Sequence, residues 1–218
     1  MAVQNVLPDP NNTITPAGQD SGTGSVAGPG FSAVTLTSQQ PYVMNRSNSG
    51  LAFKSINRYQ KFTVDIRYNS LTKAEFNIVY PFLLQRQATL EPFFVELPQY
   101  GNSSAGSKNI TLSSTVASGA TTLTLANVNS LLVADLFSII DPQDDVHVKT
   151  YKVTKIDGTT ITISPPLQRK LDHTLSGTRQ ANFATPKMRV CVMGADIQYG
   201  VDAKGLYSFS VKLEENLS

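Results

Sequence analysis

The chain has no tryptophan, a single cysteine and only two histidines in 218 residues. A lone Cys191 excludes a disulfide framework within the chain. It fits a reducing compartment, or an assembly that does not depend on disulfides. Charged residues are also scarce, at 16% against a typical ~25%. That excludes a charge-rich disordered chain and a coiled coil. The charges that exist are balanced: residues 1–108 carry 8 basic and 6 acidic groups, the remainder 10 and 10. No basic block is present, which argues against binding nucleic acid through a phosphate-neutralising patch. No apolar run reaches the ~18 residues of a membrane helix. The N-terminus lacks the charged and apolar regions of a signal peptide. The expectation is a soluble chain, made in the cytosol, that does not span a membrane.

Chemistry-bearing patterns are as sparse as the composition suggests. No phosphate loop, dinucleotide fingerprint or Cys/His metal spacing occurs. Asp172, His173 and Ser176 could be drawn as a nucleophile set, but no nucleophile-elbow glycines surround them, and a solvated loop is the better reading. Asp141, Asp144, Asp145 and His147 crowd one loop; Pro142 interrupts it and the spacing is not that of a calcium loop, so it reads as an acidic turn. Asp65, Glu91 and Glu96 could be proposed as glycosidase carboxylates, yet nothing in their spacing selects them. Cys191 alternates with apolar neighbours and reads as a small buried or interface residue. The expectation is no catalytic residue, no metal and no cofactor.

What the chain does have is strand texture. Residues 1–30 are rich in Pro, Gly, Asn, Ser and Thr and cannot bury enough surface to offset their ordering entropy. They read as a flexible N-terminal arm, either a free tail or one that orders against a neighbouring subunit. Phe31–Ser38 and Leu51–Asn57 are strand candidates. Lys61–Tyr68 is the clearest strand, with Phe62, Val64, Ile66 and Tyr68 on one face and Lys61, Thr63, Asp65 and Arg67 on the other. The period then changes. Thr72 and Glu75 have capping-box spacing, followed by Phe76, Val79 and Leu83, which predicts a helix over 72–87 with a kink or break at Pro81. Phe93–Leu97 returns to strand.

Residues 101–108 form a polar linker into a block at 109–180 with five or six short strands in about 70 residues, the pattern of a small β-barrel or sandwich. Asp157-Gly158 marks a hairpin turn within it. Strands resume at Lys187–Met193, Ala195–Tyr199 and Leu206–Leu213. The chain therefore divides into an arm at 1–30, a discontinuous β domain at 31–108 and 181–218, and an inserted small β-barrel at 109–180. Phe93, Phe94 and Tyr100 cluster in sequence. Successive strand residues face opposite ways, so one of Phe93 and Phe94 must meet solvent, the inserted block or a partner, and of these a subunit interface is favoured.

The order of these pieces resembles a known family. The strand from Tyr59 to Arg67, the helix, the run Glu91–Pro98, the block with Ala117–Leu125 and Ile163–Leu167, and the close at Leu206–Leu217 are similar in layout to the distal tail proteins of tailed bacteriophages, in the form with an inserted barrel. The resemblance spans about residues 31–217. The arm is longer than that layout leads one to expect, and no Trp stands in the first core strand.

The resemblance implies a mainly β fold: a β-sandwich ring domain with one α-helix, split by an oligonucleotide/oligosaccharide-binding-like barrel. It implies a structural virion protein, synthesised in the host cytoplasm, that forms a homohexameric ring at the end of the tail. The ring would join tail tube to tail tip or baseplate, and DNA would pass through its channel without specific binding. Lys61–Tyr68 or Lys187–Met193 could then pair across subunits by edge addition. Phe93, Phe94 and Tyr100, with Arg67 and Arg189 on those strands, are the interface candidates. The rival readings are another tail or baseplate ring component, such as a tube initiator or hub protein, and a carbohydrate-binding module contacting the host surface. The latter wants an exposed aromatic platform, and the block at 109–180 holds only Phe137 and Tyr151.

Overall fold

The computed structural model describes residues 6–10, 13–14, 26–56, 60–102, 109–128, 130–140, 149–172, 179–194 and 196–216. In chain order its first strands are β1 (Thr13–Ile14), β2 (Val26–Ala27), β3 (Ala33–Gln39), β4 (Tyr42–Arg46), β5 (Ala52–Ile56) and β6 (Lys61–Leu71). Helix α1 (Lys73–Thr89) and β7 (Phe93–Glu96) follow. Then come β8 (Asn109–Thr111), β9 (Thr122–Thr124), β10 (Leu136–Ile140), β11 (Thr150–Asp157) and β12 (Thr160–Ser164). The last are β13 (Gln180–Asn182), β14 (Lys187–Val192), β15 (Tyr199–Val201) and β16 (Tyr207–Glu215). The fold is mainly β, in several antiparallel sheets, and α1 is the one α-helix among the described residues.

The chain forms two compact units. The first comprises Met1–Ser38, Phe62–Val95 and Arg189–Ser218. Its sheet has the order β3-β6-β16-β14-β7, with β15 added beside β16. The alternation read in β6 decides its core. Phe62, Val64, Ile66 and Tyr68 are all buried. Across the strand pair, Val64 faces Leu213, Ile66 faces Val211 and Tyr68 faces Phe209, so two apolar rows meet on one side of the sheet. Tyr68 and Phe209 stack at 4.7 Å. Glu215 is buried at the far end of β16, where its Oε2 accepts the Phe62 amide at 3.2 Å.

Helix α1 begins where its cap places it. The Thr72 hydroxyl oxygen accepts the Glu75 amide, and Glu75 Oε2 accepts the Thr72 amide at 2.8 Å. The helix runs unbroken past Pro81. Val79, Phe82 and Leu83 are buried around that position, so packing holds the helix across the hydrogen bond that proline removes. It ends at Leu90, in the left-handed region at φ 52°.

Two pieces of residues 1–30 are packed in this unit. Leu7 is buried and its amide donates to the Phe94 carbonyl at 2.8 Å, and Val6 bridges Phe94 in parallel. The Gly28 amide donates to the Asp9 carbonyl at 3.0 Å, and a side chain at Gly28 would overlap the backbone of Pro8 and Asp9. The low apolar content of the arm thus hides a few residues that find partners on the β7 edge.

The second unit comprises Gln39–Lys61 and Glu96–Met188. Its six strands run in the order β8-β13-β10-β11-β12-β9, each neighbouring pair antiparallel. The core gathers Leu123, Phe137, Ile139, Tyr151, Val153, Ile161, Ile163 and Phe183. The outer strands β8 and β9 approach at one bridge, Leu112–Leu125, with Ser113 N donating to Thr124 O and Ala126 N to Thr111 O. Each outer strand is only three residues long, too short for a closing ladder, and no closed barrel forms among the described residues. Asn109 and Asn182 are register partners, so the two ends of this block lie side by side. Just before it, Gly101 sits where a Cβ would stand 2.5 Å from the Phe183 carbonyl oxygen. The remaining sheet of this unit is the hairpin β4–β5, which the sequence half revealed: β5 was legible and β4 was not.

Candidate assembly interface

The hairpin is built from a run with little reason to enter a core. Pro41 precedes it, and Ser47, Asn48, Ser49 and Gly50 make its turn, closed by Ser47 N donating to Leu51 O and Gly50 N to Ser47 O. Gly50 has φ 82°, which glycine adopts without strain. The register pairs Val43 with Ser55 and Asn45 with Phe53, which puts Val43, Asn45, Phe53 and Ser55 on one face. Tyr42, Met44 and Arg46 face the other way. Tyr42, Val43, Met44, Leu51 and Phe53 are between 40% and 65% exposed. An isolated two-stranded hairpin is marginally stable in water, and exposed apolar side chains on both of its faces make it a candidate interaction site. Its root is held firmly. The Gln60 carbonyl accepts Lys149 Nζ at 2.7 Å, and Gln60 Oε1 accepts the Ser164 hydroxyl at 3.0 Å.

The first unit carries a different exposed feature. The ring of Phe76 stacks on Tyr80 at 4.7 Å and on Tyr207 at 4.4 Å. Tyr199 lies 5.1 Å from both Phe76 and Tyr80. Phe76 is buried, Tyr80 and Tyr207 are half-buried, and Tyr199 is about half exposed with its strand neighbour Val201. The result is an aromatic ledge, fixed below and open above. The sequence pattern missed it, because it joins a helix to a hairpin more than a hundred residues away.

The residues expected at an interface fall in varied places. Phe93 is buried and meets Phe82 edge-on at 5.3 Å, so it belongs to the core. Phe94 is half-buried, with its backbone engaged by Val6 and Leu7. Tyr100 is half-buried in a 3-10 turn at Pro98–Tyr100, its amide donating to Leu97 O. The Arg67 side chain is exposed, 3.9 Å from Asp65. Arg189 is half-buried on β14, and its carbonyl accepts the Asn216 amide. The expected edge addition through Lys61–Tyr68 or Lys187–Met193 does not fit the topology. β6 lies between β3 and β16, and β14 lies between β16 and β7, so both are interior strands with no free edge.

Side chains weighed for catalysis are occupied structurally. Glu91 pairs with the buried Arg86, whose guanidinium also lies 5.4 Å over the Phe82 ring. Glu96 pairs with Lys187 at 2.8 Å. Asp172 pairs with Lys170 at 2.7 Å. His173, Ser176 and the acidic turn with Asp141, Asp144, Asp145 and His147 lie outside the described residues. Among the described residues no cluster of His, Cys, Asp and Glu could hold a metal ion. Phe137 and Tyr151 are fully buried, so neither offers a platform for a sugar ring. No helix among them is long and apolar enough to cross a membrane.

Residues 19–100 match the family model for distal tail protein pb9, A domain, N-terminal. Over this stretch the chain is similar to the N-terminal part of a distal tail protein A domain. The match supports a structural role in a phage tail and the family resemblance over residues 19–100; the inserted barrel lies beyond it. It covers the hairpin and helix α1 and ends at Tyr100, just before the block at 109–180. No curated protein matches the chain.

Proposed function

We propose that this distal tail protein assembles as a closed ring, of six copies as the resemblance implies, and joins the tail tube to the tail tip or baseplate. It does so as a scaffold without catalytic work, leaving a channel through which DNA passes without specific binding. The observation that carries this reading is the hairpin β4–β5, which presents Tyr42, Val43, Met44, Leu51 and Phe53 to solvent from a firmly held root. A chain with so few charges relies on contact area rather than electrostatic steering to find its neighbours. A ring needs two different surfaces on each subunit, and the hairpin and the aromatic ledge are two such surfaces.

The block at 109–180 is proposed to be an insertion in the A domain. Three observations support this. The family match stops at Tyr100. The block's ends are register partners. β14 and β16 then complete the sheet that β3, β6 and β7 begin.

Native mass spectrometry of the purified chain over a concentration series tests the ring. A closed species near six copies is the expected result. A chain that stays monomeric at every concentration, and on addition of isolated tail tubes, overturns it.

A further inference from the structure

We propose that Val6–Asp9 is a strap that guards the outer edge of β7 within its own copy, and so keeps free chains from pairing edge to edge through that strand. This role is separate from ring assembly. The strap lies ahead of residue 19, where the family match begins, whereas β7 lies inside the match.

The edge needs cover. β7 ends its sheet, with β14 as its strand neighbour. The run Phe93-Phe94-Val95-Glu96-Leu97 holds two phenylalanines, a valine and a leucine against one charge, and Pro92 and Pro98 bracket it. That charge is taken up by Lys187, 2.8 Å from Glu96. A short run of strong strand formers with little free charge, standing at a sheet edge, is a template for pairing with another chain. Prolines on either side are a common fence around such a run.

The strap is built to cover the edge without extending it. The Leu7 side chain is buried and its amide donates to the Phe94 carbonyl at 2.8 Å, while Val6 bridges Phe94 in parallel. Pro8 and Asp9 are buried as well. Pro8 and Pro10 have no amide hydrogen, so the strap fills the edge and breaks the row of donors that a further strand would need. A segment serving as one more strand would carry donors at those positions. Gly28 fastens the strap: its amide donates to the Asp9 carbonyl at 3.0 Å, and a Cβ there would overlap the Pro8 carbonyl and the Asp9 amide.

The test uses variants of the full chain. Leu7→Ser removes the seated side chain without adding a charge, and Gly28→Ala unseats the strap from outside it. Val79→Ala, on the buried face of α1, is the control for simple destabilisation of the same unit. Association is read by light scattering and sedimentation beside the wild type. Both strap variants are expected to associate beyond the wild type, with onset at a concentration about tenfold lower, the scale set by losing one buried leucine. The amide of residue 7 should exchange faster in both. A synthetic peptide of residues 1–10, added in excess, is expected to suppress the extra association; the same peptide carrying Leu7→Ser is not. If one strap variant loses its folded circular dichroism signal, the other carries the comparison. Strap variants that associate no more than Val79→Ala overturn the proposal, as does equal action of the two peptides. A wild-type chain that stays monomeric removes the ring reading and leaves this comparison intact, so the two failures are distinct.

Discussion

Lys149 Nζ donates to the Gln60 carbonyl at 2.7 Å, joining a buried lysine to the residue just before β6. Gln60 follows strand β5 by four residues, so the bond is expected to tie down the chain on that side of the hairpin. Lys149→Met keeps the volume and removes the donor. The expected result is a loss of about 1–3 kcal/mol in the melting of the second unit, the cost of leaving a carbonyl unsatisfied. Hydrogen exchange across residues 42–56 should rise with it. Unchanged exchange there would show that the hairpin is held by other contacts.

The hairpin surface itself should be dispensable for folding. Phe53→Ser and Val43→Ser remove apolar groups that touch mostly water, so monomer stability should move by less than about 0.5 kcal/mol. Tail-tube attachment should fall by at least about tenfold in a pull-down with purified tail tubes, read against a blank without tubes. Equal attachment by wild type and variant would deny the hairpin any part in assembly.

Tyr68 points to a gain. Its ring is fully buried against Phe209 and Phe31, and its hydroxyl has no hydrogen-bond partner among the described residues. Burial first, and the Asp9 carboxylate second, push the phenol well above its ordinary pKa, so it stays neutral wherever the protein is folded. Tyr68→Phe removes an unpaired polar group and keeps the stacking. Stability should be unchanged or raised, by up to about 1–2 kcal/mol. A melting temperature lowered by several degrees would reveal a partner for that hydroxyl.

The helix cap titrates. Glu75 is held below its ordinary pKa by the Thr72 backbone amide, then by the Thr72 hydroxyl, with slight burial opposing. A carboxylate depressed in the folded state adds stability above its unfolded pKa and loses it as pH falls through the folded value. The contribution should therefore be complete at pH 7 and fade from about pH 4.5 downward. Thr72→Ala should cost about 1 kcal/mol at neutral pH. Chemical denaturation of wild type and Glu75→Gln should converge once the pH has fallen below the depressed folded-state value. A gap that persists there would assign the effect to something other than ionisation.

Excision tests the insertion. Replacing residues 109–180 with a short Gly/Ser linker joins positions that are already neighbours, since Asn109 pairs with Asn182. The first unit keeps its sheet, and a single cooperative melt is expected. Loss of cooperativity would show that the second unit is needed to fold the first.

The sequence by itself determined the local structure. Alternation placed β6 and its buried face, because a period of two has one meaning when one side is apolar. Thr72 and Glu75 marked the helix start, because a capping box is a local bond between residues three apart. Asp157-Gly158 marked a turn, and Gly158 adopts φ 58° there. The layout carried the family resemblance as well. Tertiary structure decided the rest. It buried Phe93 and left the hairpin β4–β5 exposed, although both runs contain phenylalanine and valine. It made β6 and β14 interior strands, which no pattern along either strand could state. It drew Leu7 onto Phe94 and gathered Phe76, Tyr80, Tyr199 and Tyr207 into one ledge. Periodicity reports which face of an element is apolar. Which apolar face finds a partner within the chain, and which is left for another molecule, depends on contacts between residues far apart in sequence.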